Sequence, residues 1–197
     1  MGEDHDGVLL ALYERRPPPI PLGELQRRRW QFECDRRMLD VARLLWKRWP
    51  LTSLVGEALD EEYAIHITRQ IPALSPLARD LPDAVRLGLA RWAAEMDHPF
   101  LEELRRLESA KAGDFEPTRE ARPDEAAALG RPARILEVSC NILAAEKILS
   151  HYARVHAPRS LIRNFTATPG PRRIAFYDRG AKRYLSDISC LQPAVGE

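Results

Sequence analysis

The stretch RRIAFYDRGAKRYLSDI, residues 172–188, decides the architecture read from this chain. Ile174 and Phe176 alternate with Ala175 and Tyr177, and Tyr184, Ser186 and Ile188 alternate with Leu185 and Asp187. That period of two is the mark of strands with one covered face. Between the two runs, Asp178, Arg179, Gly180 and Ala181 supply a turn in which Gly180 can take a positive φ. The pattern predicts a β-hairpin of residues 172–178 and 183–188. A two-stranded hairpin is marginal alone, so it must pack on further structure or gain a strand, from residues 160–166 or from another molecule. Its unpaired edge would offer backbone donors and acceptors to an extended peptide, which can add as a further strand.

Working outward from the hairpin, Ile135, Val138, Ile142, Leu143, Ala145, Ile148, Leu149, Tyr152 and Val155 keep helical spacing and predict a spine helix. Further upstream, a helix over 23–49 carries Leu25, Phe32, Leu39 and Trp46 at seven-residue spacing, with Trp30, Cys34, Val41 and Leu45 beside them, and Pro50 ends it. Thr52 reads as the N-cap of the next helix, whose buried stripe is Leu54, Val55, Ala58, Leu59, Tyr63 and Ile67. Pro72, Pro76 and Pro82 divide the next stretch into brief helices over 73–80 and 83–96. Asp97 is expected to cap another helix, with Pro99 in its first turn and Phe100, Leu101, Leu104 and Leu107 on one face. Residues 112–123 read as a polar surface loop, and the proline-rich run at 17–21 as an extended strap. The expected fold is mainly α: a multi-helix bundle over 1–157 with a small C-terminal antiparallel β-sheet as an appendage over 158–197.

A chain of 197 residues suffices for one sizeable core and a small appendage. The net charge of +1 conceals a split. Between Lys147 and Ser186, Lys147, Arg154, Arg159, Arg163, Arg172, Arg173, Arg179, Lys182 and Arg183 face a single acid, Asp178. Such a basic third is either a solvated face or an attraction for an anionic partner surface, an acidic peptide or nucleic acid. Cys34, Cys140 and Cys190 are odd in number and far apart, which argues for reduced thiols and a cytoplasmic setting. The first six residues are acidic, and no apolar run approaches the roughly 18 residues of a membrane helix, so neither secretion nor membrane insertion is expected.

The chemistry-bearing residues do not assemble into a catalytic set. His66, among Tyr63, Ala64 and Ile67, reads as a structural, hydrogen-bonded histidine, and His98 as a first-turn helix residue. His151 and His156 are five apart and do not share a helix face as a metal pair at spacing four would. There is no EF-hand loop, Walker loop or paired-His zinc motif. Glu57, Asp60, Glu61 and Glu62 fit a solvated helix face better than a carboxylate metal site. Cys140 sits in the apolar stripe as a small hydrophobe, and Cys190 has no base near it in sequence. No catalytic residue, metal ligand or cofactor is therefore expected in this chain, and peptide contacts are expected from Ile174, Phe176, Tyr184, Leu185 and Ile188. The competing reading is a basic nucleic-acid-binding regulator. In it Arg172, Arg173, Arg179, Lys182 and Arg183 meet phosphates, and Phe165, Phe176, Tyr177 and Tyr184 stack on bases. Those aromatics also fit the inner face of a small sheet.

Three segments carry a family resemblance: Trp49-Pro50 with Leu54-Val55-Gly56, then Pro72-Ala73-Leu74-Ser75-Pro76, then Pro99-Phe100-Leu101 with Leu104 and Arg106-Leu107-Glu108. They resemble a bacterial family of helical partner proteins, labelled DNA-binding, that act with TIM-barrel iron enzymes oxidising cysteines in ribosomally made peptides. Where that family commonly has tyrosine-arginine-asparagine-asparagine, this chain has Cys34-Asp35-Arg36-Arg37, and a hairpin replaces the usual C-terminal end. With that divergence the chain is similar to the partner proteins of methanobactin biosynthesis, the MbnC type. The resemblance implies a noncatalytic subunit in a heterodimer with an iron-containing TIM-barrel catalytic subunit. That complex would convert a precursor-peptide cysteine to an oxazolone with an adjacent thioamide, giving a copper chelator. Iron would sit in the partner subunit, and this chain would stabilise that subunit and hold the precursor's leader. The partner contact is expected at Asp97, His98, Phe100 and Arg105, on the helix over 97–107 and on the spine.

Overall fold

The computed structural model describes residues 8, 11–13, 16–18, 21–74, 78, 80–98, 100–114, 118–179 and 182–190. The chain is mainly α with one small four-stranded antiparallel sheet in its C-terminal part. It divides into two compact units, Met1–Asp97 and His98–Glu197. The boundary expected at 157/158 falls inside the second unit.

The first unit holds α1 (Glu24–Arg48), α2 (Pro50–Leu59), α3 (Tyr63–Leu74) and α4 (Leu81–Glu95). At the start of α1 the Gly23 N–H donates to the Gln26 side chain at 3.0 Å, satisfying one of the backbone donors that a helix start leaves open. Pro50 has no N–H to give α1, but its fixed φ suits the first position of a new helix, so α2 begins there. Thr52, expected as the cap of that helix, lies inside its first turn and is wholly buried. Asp80 caps α4 by accepting the Asp83 N–H at 2.8 Å. Pro72 sits within the last turn of α3. Part of the short helix expected over 73–80, residues 75–77 and 79, lies outside the described residues.

The core of this unit is built from Val41, Leu45, Val55, Tyr63, Ile67, Leu89 and Trp92, with α1 lying against α2, α3 and α4, and α3 against α4. The Tyr63 ring meets Trp92 edge-on at 4.7 Å, and its hydroxyl shares a 3.2 Å hydrogen bond with Ser53 Oγ. Gly56 lets α2 close on that ring, because a Cβ there would lie 2.7 Å from a Tyr63 ring carbon. The heptad-spaced row of α1 is not part of this core: Leu25, Phe32, Leu39 and Trp46 are 65%, 66%, 50% and 39% exposed. Cys34, Val41 and Leu45 form the buried face instead.

The second unit holds α5 (Leu101–Lys111), β1 (Arg119–Glu120), α6 (Pro123–Leu129), β2 (Arg134–Cys140), α7 (Ile142–Arg154), α8 (Arg159–Arg163), β3 (Pro169–Arg179) and β4 (Lys182–Asp187). The strand order is β1-β2-β3-β4, antiparallel throughout. The hairpin expected from the sequence is present as β3 and β4, with β3 longer than the alternation indicated. The spine helix is shorter than expected, because residues 134–140 are a strand. Asn141 separates strand from helix, its side chain accepting the Ala144 N–H at 3.3 Å. A short apolar run satisfies both periods, and pairing with β3 settles it as a strand. The third strand is therefore β2, with β1 beyond it, and not residues 160–166, which include α8. Asp97 does not cap α5. Phe100 is the N-cap, and Asp97 takes a left-handed φ of 45° in the turn before it.

The central strands are buried on both faces. Leu136, Ile174 and Phe176 lie on one side, and Ile135 and Ala175 on the other, where they cluster with Ile188, Leu129, Ala133 and Tyr177. Glu125 of α6 is also buried. It accepts from Arg119 at 2.7 and 2.8 Å, from Arg173 at 3.2 Å and from the Arg122 N–H at 2.8 Å. The Arg119 hydrogen bonds, outweighing burial, hold its carboxyl at about 2, and Arg119 itself is raised.

Two measurements check this packing. Gly56→Ala is expected to lose about 2 kcal/mol in urea denaturation, the cost of overpacking against a ring that cannot retreat. Glu125→Gln is expected to lose about 3 kcal/mol at neutral pH by breaking a buried ion pair. Because the folded Glu125 is depressed from 4.5, its contribution is complete above that value and is lost as pH falls towards about 2. The stability gap between wild type and variant should close over that interval.

Candidate functional site

Strand alternation and one hydrogen bond fix which backbone groups of the sheet face outward. Ile188 donates its N–H to the Arg173 carbonyl at 2.8 Å, which makes 173/188 a hydrogen-bonded pair. The register of β3 with β4 then makes 175/186, 177/184 and 179/182 hydrogen-bonded pairs as well. Lys182, Tyr184 and Ser186 point their N–H and C=O groups into β3, whereas Arg183, Leu185 and Asp187 point theirs away from the sheet.

The same counting across β2 shows how the opposite side is closed. Ile135, Glu137 and Ser139 point away from β3, and Ile135 meets β1. The Glu137 carbonyl accepts from Arg106 of α5 at 3.2 Å. The Ser139 N–H donates to Glu103 of α5 at 2.6 Å, and the Cys140 N–H donates to the same carboxylate at 3.3 Å. Side chains of α5 thus stand where a strand would be. Among the described residues, β4 pairs with β3 alone and is the long open edge; the other edge, β1, has two residues.

The residues expected to contact peptide separate into two groups. Tyr184 and Leu185 lie on the open strand, 40% and 37% exposed, while Ile174, Phe176 and Ile188 are buried beneath it. Tyr184 stacks on Tyr177 at 6.0 Å, and Arg131 lies over the far ring at 5.0 Å from its centroid. Tyr177 also lines a cleft of about 420 Å3 with Ala121, Pro132, Ala133, Arg134 and Phe176. It lies where β3 runs past the start of β2, beyond the Arg134/Phe176 pair. Of the residues expected at a partner contact, Phe100 and Arg105 are buried, Arg105 held by Glu102 at 2.7 and 2.6 Å. Asp97 is exposed. His98 is partly buried edge-on to Phe100 at 4.7 Å, its Nδ1 has no hydrogen-bond partner among the described residues, and burial lowers its pKa.

The outward backbone groups of Arg183 and Asp187 were not among the expected contacts. Alternation reveals which residues share a face, but not which strand ends the sheet, and no sequence signal supplied that.

Potential catalytic groups are engaged otherwise. Cys140 lies at the end of β2, not in a helix, and its thiol donates to Glu103 at 2.9 Å. Burial first, then the neighbouring carboxylate, push that thiol up to about 12, the opposite of an activated nucleophile. His66 Nδ1–H donates to Asp60 at 2.6 Å, and Trp92 Nε1–H donates to the same carboxylate at 3.2 Å. Burial works to raise Asp60, but bonds from His66, the Glu62 N–H and Trp92 outweigh it and hold the group below its usual range. The pair anchors the α2–α3 turn to α4. Among the described residues there is no group of three or more His, Cys, Asp or Glu able to hold a metal ion, and no helix long and apolar enough to cross a membrane.

Comparison with known proteins finds no matching family model, no similar curated protein and no similar solved structure.

Thiol titration of the native protein at pH 8 tests the Cys140 environment. Cys190 is exposed and should react promptly with a disulfide reagent, whereas Cys34 and Cys140 should react only on unfolding. Prompt modification of Cys140 would contradict the buried thiol–carboxylate pair.

Proposed function

We propose that this chain is a noncatalytic, peptide-holding subunit of a heterodimeric iron-dependent oxidase that modifies cysteines of a ribosomally made precursor. The observation that carries the reading is the open β4 edge, with the N–H and C=O groups of Leu185 and Asp187 aimed outward. An extended leader would gain main-chain hydrogen bonds there and side-chain selectivity from alternate positions. Lys182 favours an acidic residue in the added strand, and the exposed Tyr184 and Leu185 favour apolar ones. Holding the leader raises the effective concentration of the core cysteine at the partner's iron.

The finer assignment, to methanobactin biosynthesis in the cytoplasm, rests on the resemblance of residues 49–110 and on the free cysteines. Under it, the product is the oxazolone and thioamide of a copper chelator, and the iron belongs to the TIM-barrel subunit. The nucleic-acid reading is weaker, because three of the five basic residues it would use lie against acids. Arg173 is bonded to Glu125, Arg183 to Asp178, and Arg172 lies 4.0 Å from Asp187.

Co-expression with the iron-barrel subunit and precursor, followed by size-exclusion chromatography and peptide mass spectrometry, tests the proposal. A heterodimer and an oxidised peptide are expected. Leu185→Pro removes an outward N–H and leaves the β3 ladder intact, so it should preserve the heterodimer while weakening leader binding at least tenfold. Tyr184→Pro removes an inward N–H and should damage the hairpin itself. Unchanged leader affinity in Leu185→Pro would overturn the edge assignment.

A further inference from the structure

We propose that the outer face of α1 is a docking seam for an acidic amphipathic helix of another protein, a function separate from the sheet edge. Leu25, Phe32, Leu39 and Trp46 are all exposed along this 25-residue helix, while its buried residues Cys34, Val41 and Leu45 occupy the opposite face. Four large apolar side chains in one row leave a few hundred Å2 of apolar surface in water, the size at which exposed patches are usually functional.

The row's period selects its occupant. Residues seven apart on a helix recur about every 10 Å, so this row runs for about 30 Å and winds slowly to the left. A second helix with the same repeat, crossing at about 20°, stays in register with it along its whole length. An extended peptide, rising about 3.3 Å per residue, would have to use every third residue, and those fall on alternating faces.

Charge selects the sign. Four residues beyond each of the first three apolar positions stands an arginine, Arg29, Arg36 and Arg43, all exposed. The other flank carries Arg28, Asp35 and Ala42. Over α1 as a whole, Arg27, Arg28, Arg29, Arg36, Arg37, Arg43, Lys47 and Arg48 outnumber Glu24, Glu33, Asp35 and Asp40. Some of these charges are matched locally: Arg28 reaches Glu24 at 2.7 Å, Arg36 reaches Glu33 at 3.0 Å and Asp40 at 3.3 Å, and Arg43 lies 4.0 Å from Asp40. The helix still keeps a surplus of four positive charges by those residues, eight against four.

Two copies packed antiparallel would set one arginine row against the other, which opposes that arrangement. Parallel packing would set the row against Arg28, Asp35 and Ala42, one repulsion offset by one attraction, whereas a flank of acids on a different helix meets an arginine at every position. A bilayer is a poor match too, since membrane-lying helices present a broad apolar face, whereas this row is one residue wide with arginines and Asp35 directly beside it. A helix with an apolar row flanked by Glu or Asp fits both the row and its rim.

Fluorescence anisotropy of the full chain with two designed helical peptides, each about four heptads long, tests the seam. Both share one leucine-phenylalanine row; one has Glu on its flanks and the other Lys. The Glu peptide should bind at least tenfold tighter than the Lys peptide. Its affinity should fall with added salt and drop at least tenfold on Phe32→Ser/Leu39→Ser, a variant whose unfolding temperature should match wild type. If that variant misfolds, Arg29→Glu/Arg43→Glu serves instead and should reverse the preference towards the Lys peptide. Equal binding of the two peptides, or no binding of the Glu peptide, overturns the proposal. So does a concentration-dependent dimer abolished by the double variant, which would assign the face to a second copy. Sedimentation with phosphatidylglycerol vesicles that the double variant abolishes would assign it to membrane.

Discussion

Beyond the two residues paired with β1, the outer side of β2 is closed by two side chains and not by a strand, and the organisation of the second unit depends on that substitution. A strand exposes backbone donors and acceptors on both sides, and those buried without partners cost free energy comparable to a lost hydrogen bond. β1 covers only the start of β2, so the Glu137 carbonyl and the Ser139 and Cys140 amides need other partners. Arg106 and Glu103 supply them from α5, with the right charge for each: a cation to a carbonyl, an anion to amides. The consequence for Cys140 is direct, since the carboxylate that accepts its amide also accepts its thiol and suppresses thiolate formation.

With that side closed, β4 is left as the long edge. Edge strands tend to recruit other strands, and natural proteins usually blunt them with charge or a cover. β4 has a lysine and an arginine at its start and an aspartate at its end, but Tyr184 and Leu185 between them are exposed. Charge at both ends with apolar residues in the middle disfavours indiscriminate pairing and favours a strand of complementary pattern.

The electrostatics look different in three dimensions from their appearance along the chain. The surplus of Arg and Lys after residue 147 suggests a large anion-attracting surface, yet Arg173 is drawn inward by Glu125, which lies 48 positions earlier and also holds Arg119. Arg183 is occupied by Asp178 across the hairpin, and its guanidinium also lies against Gly113, close enough that a Cβ there would be 3.0 Å from Nη1. In α1 a charge surplus that composition averages away belongs to a helix that also carries an exposed apolar row.

The amino-acid sequence by itself determined the mainly α character, the helix boundary at Pro50, the buried positions Ile142, Ala145 and Leu149 of α7 and the hairpin of β3 and β4. Each of these comes from local geometry: a missing N–H or a fixed period. Tertiary structure decided what local rules leave degenerate. Residues 135–140 satisfy helical and strand spacing alike, and only β3 beside them makes them a strand. The row Leu25, Phe32, Leu39 and Trp46 is as regular as a core stripe, but burial depends on where α2, α3 and α4 lie, and they cover the other face. Which strand ends the sheet was equally beyond the sequence, because it depends on Arg106 and Glu103, 31 and 36 residues before the backbone groups of β2 that they reach.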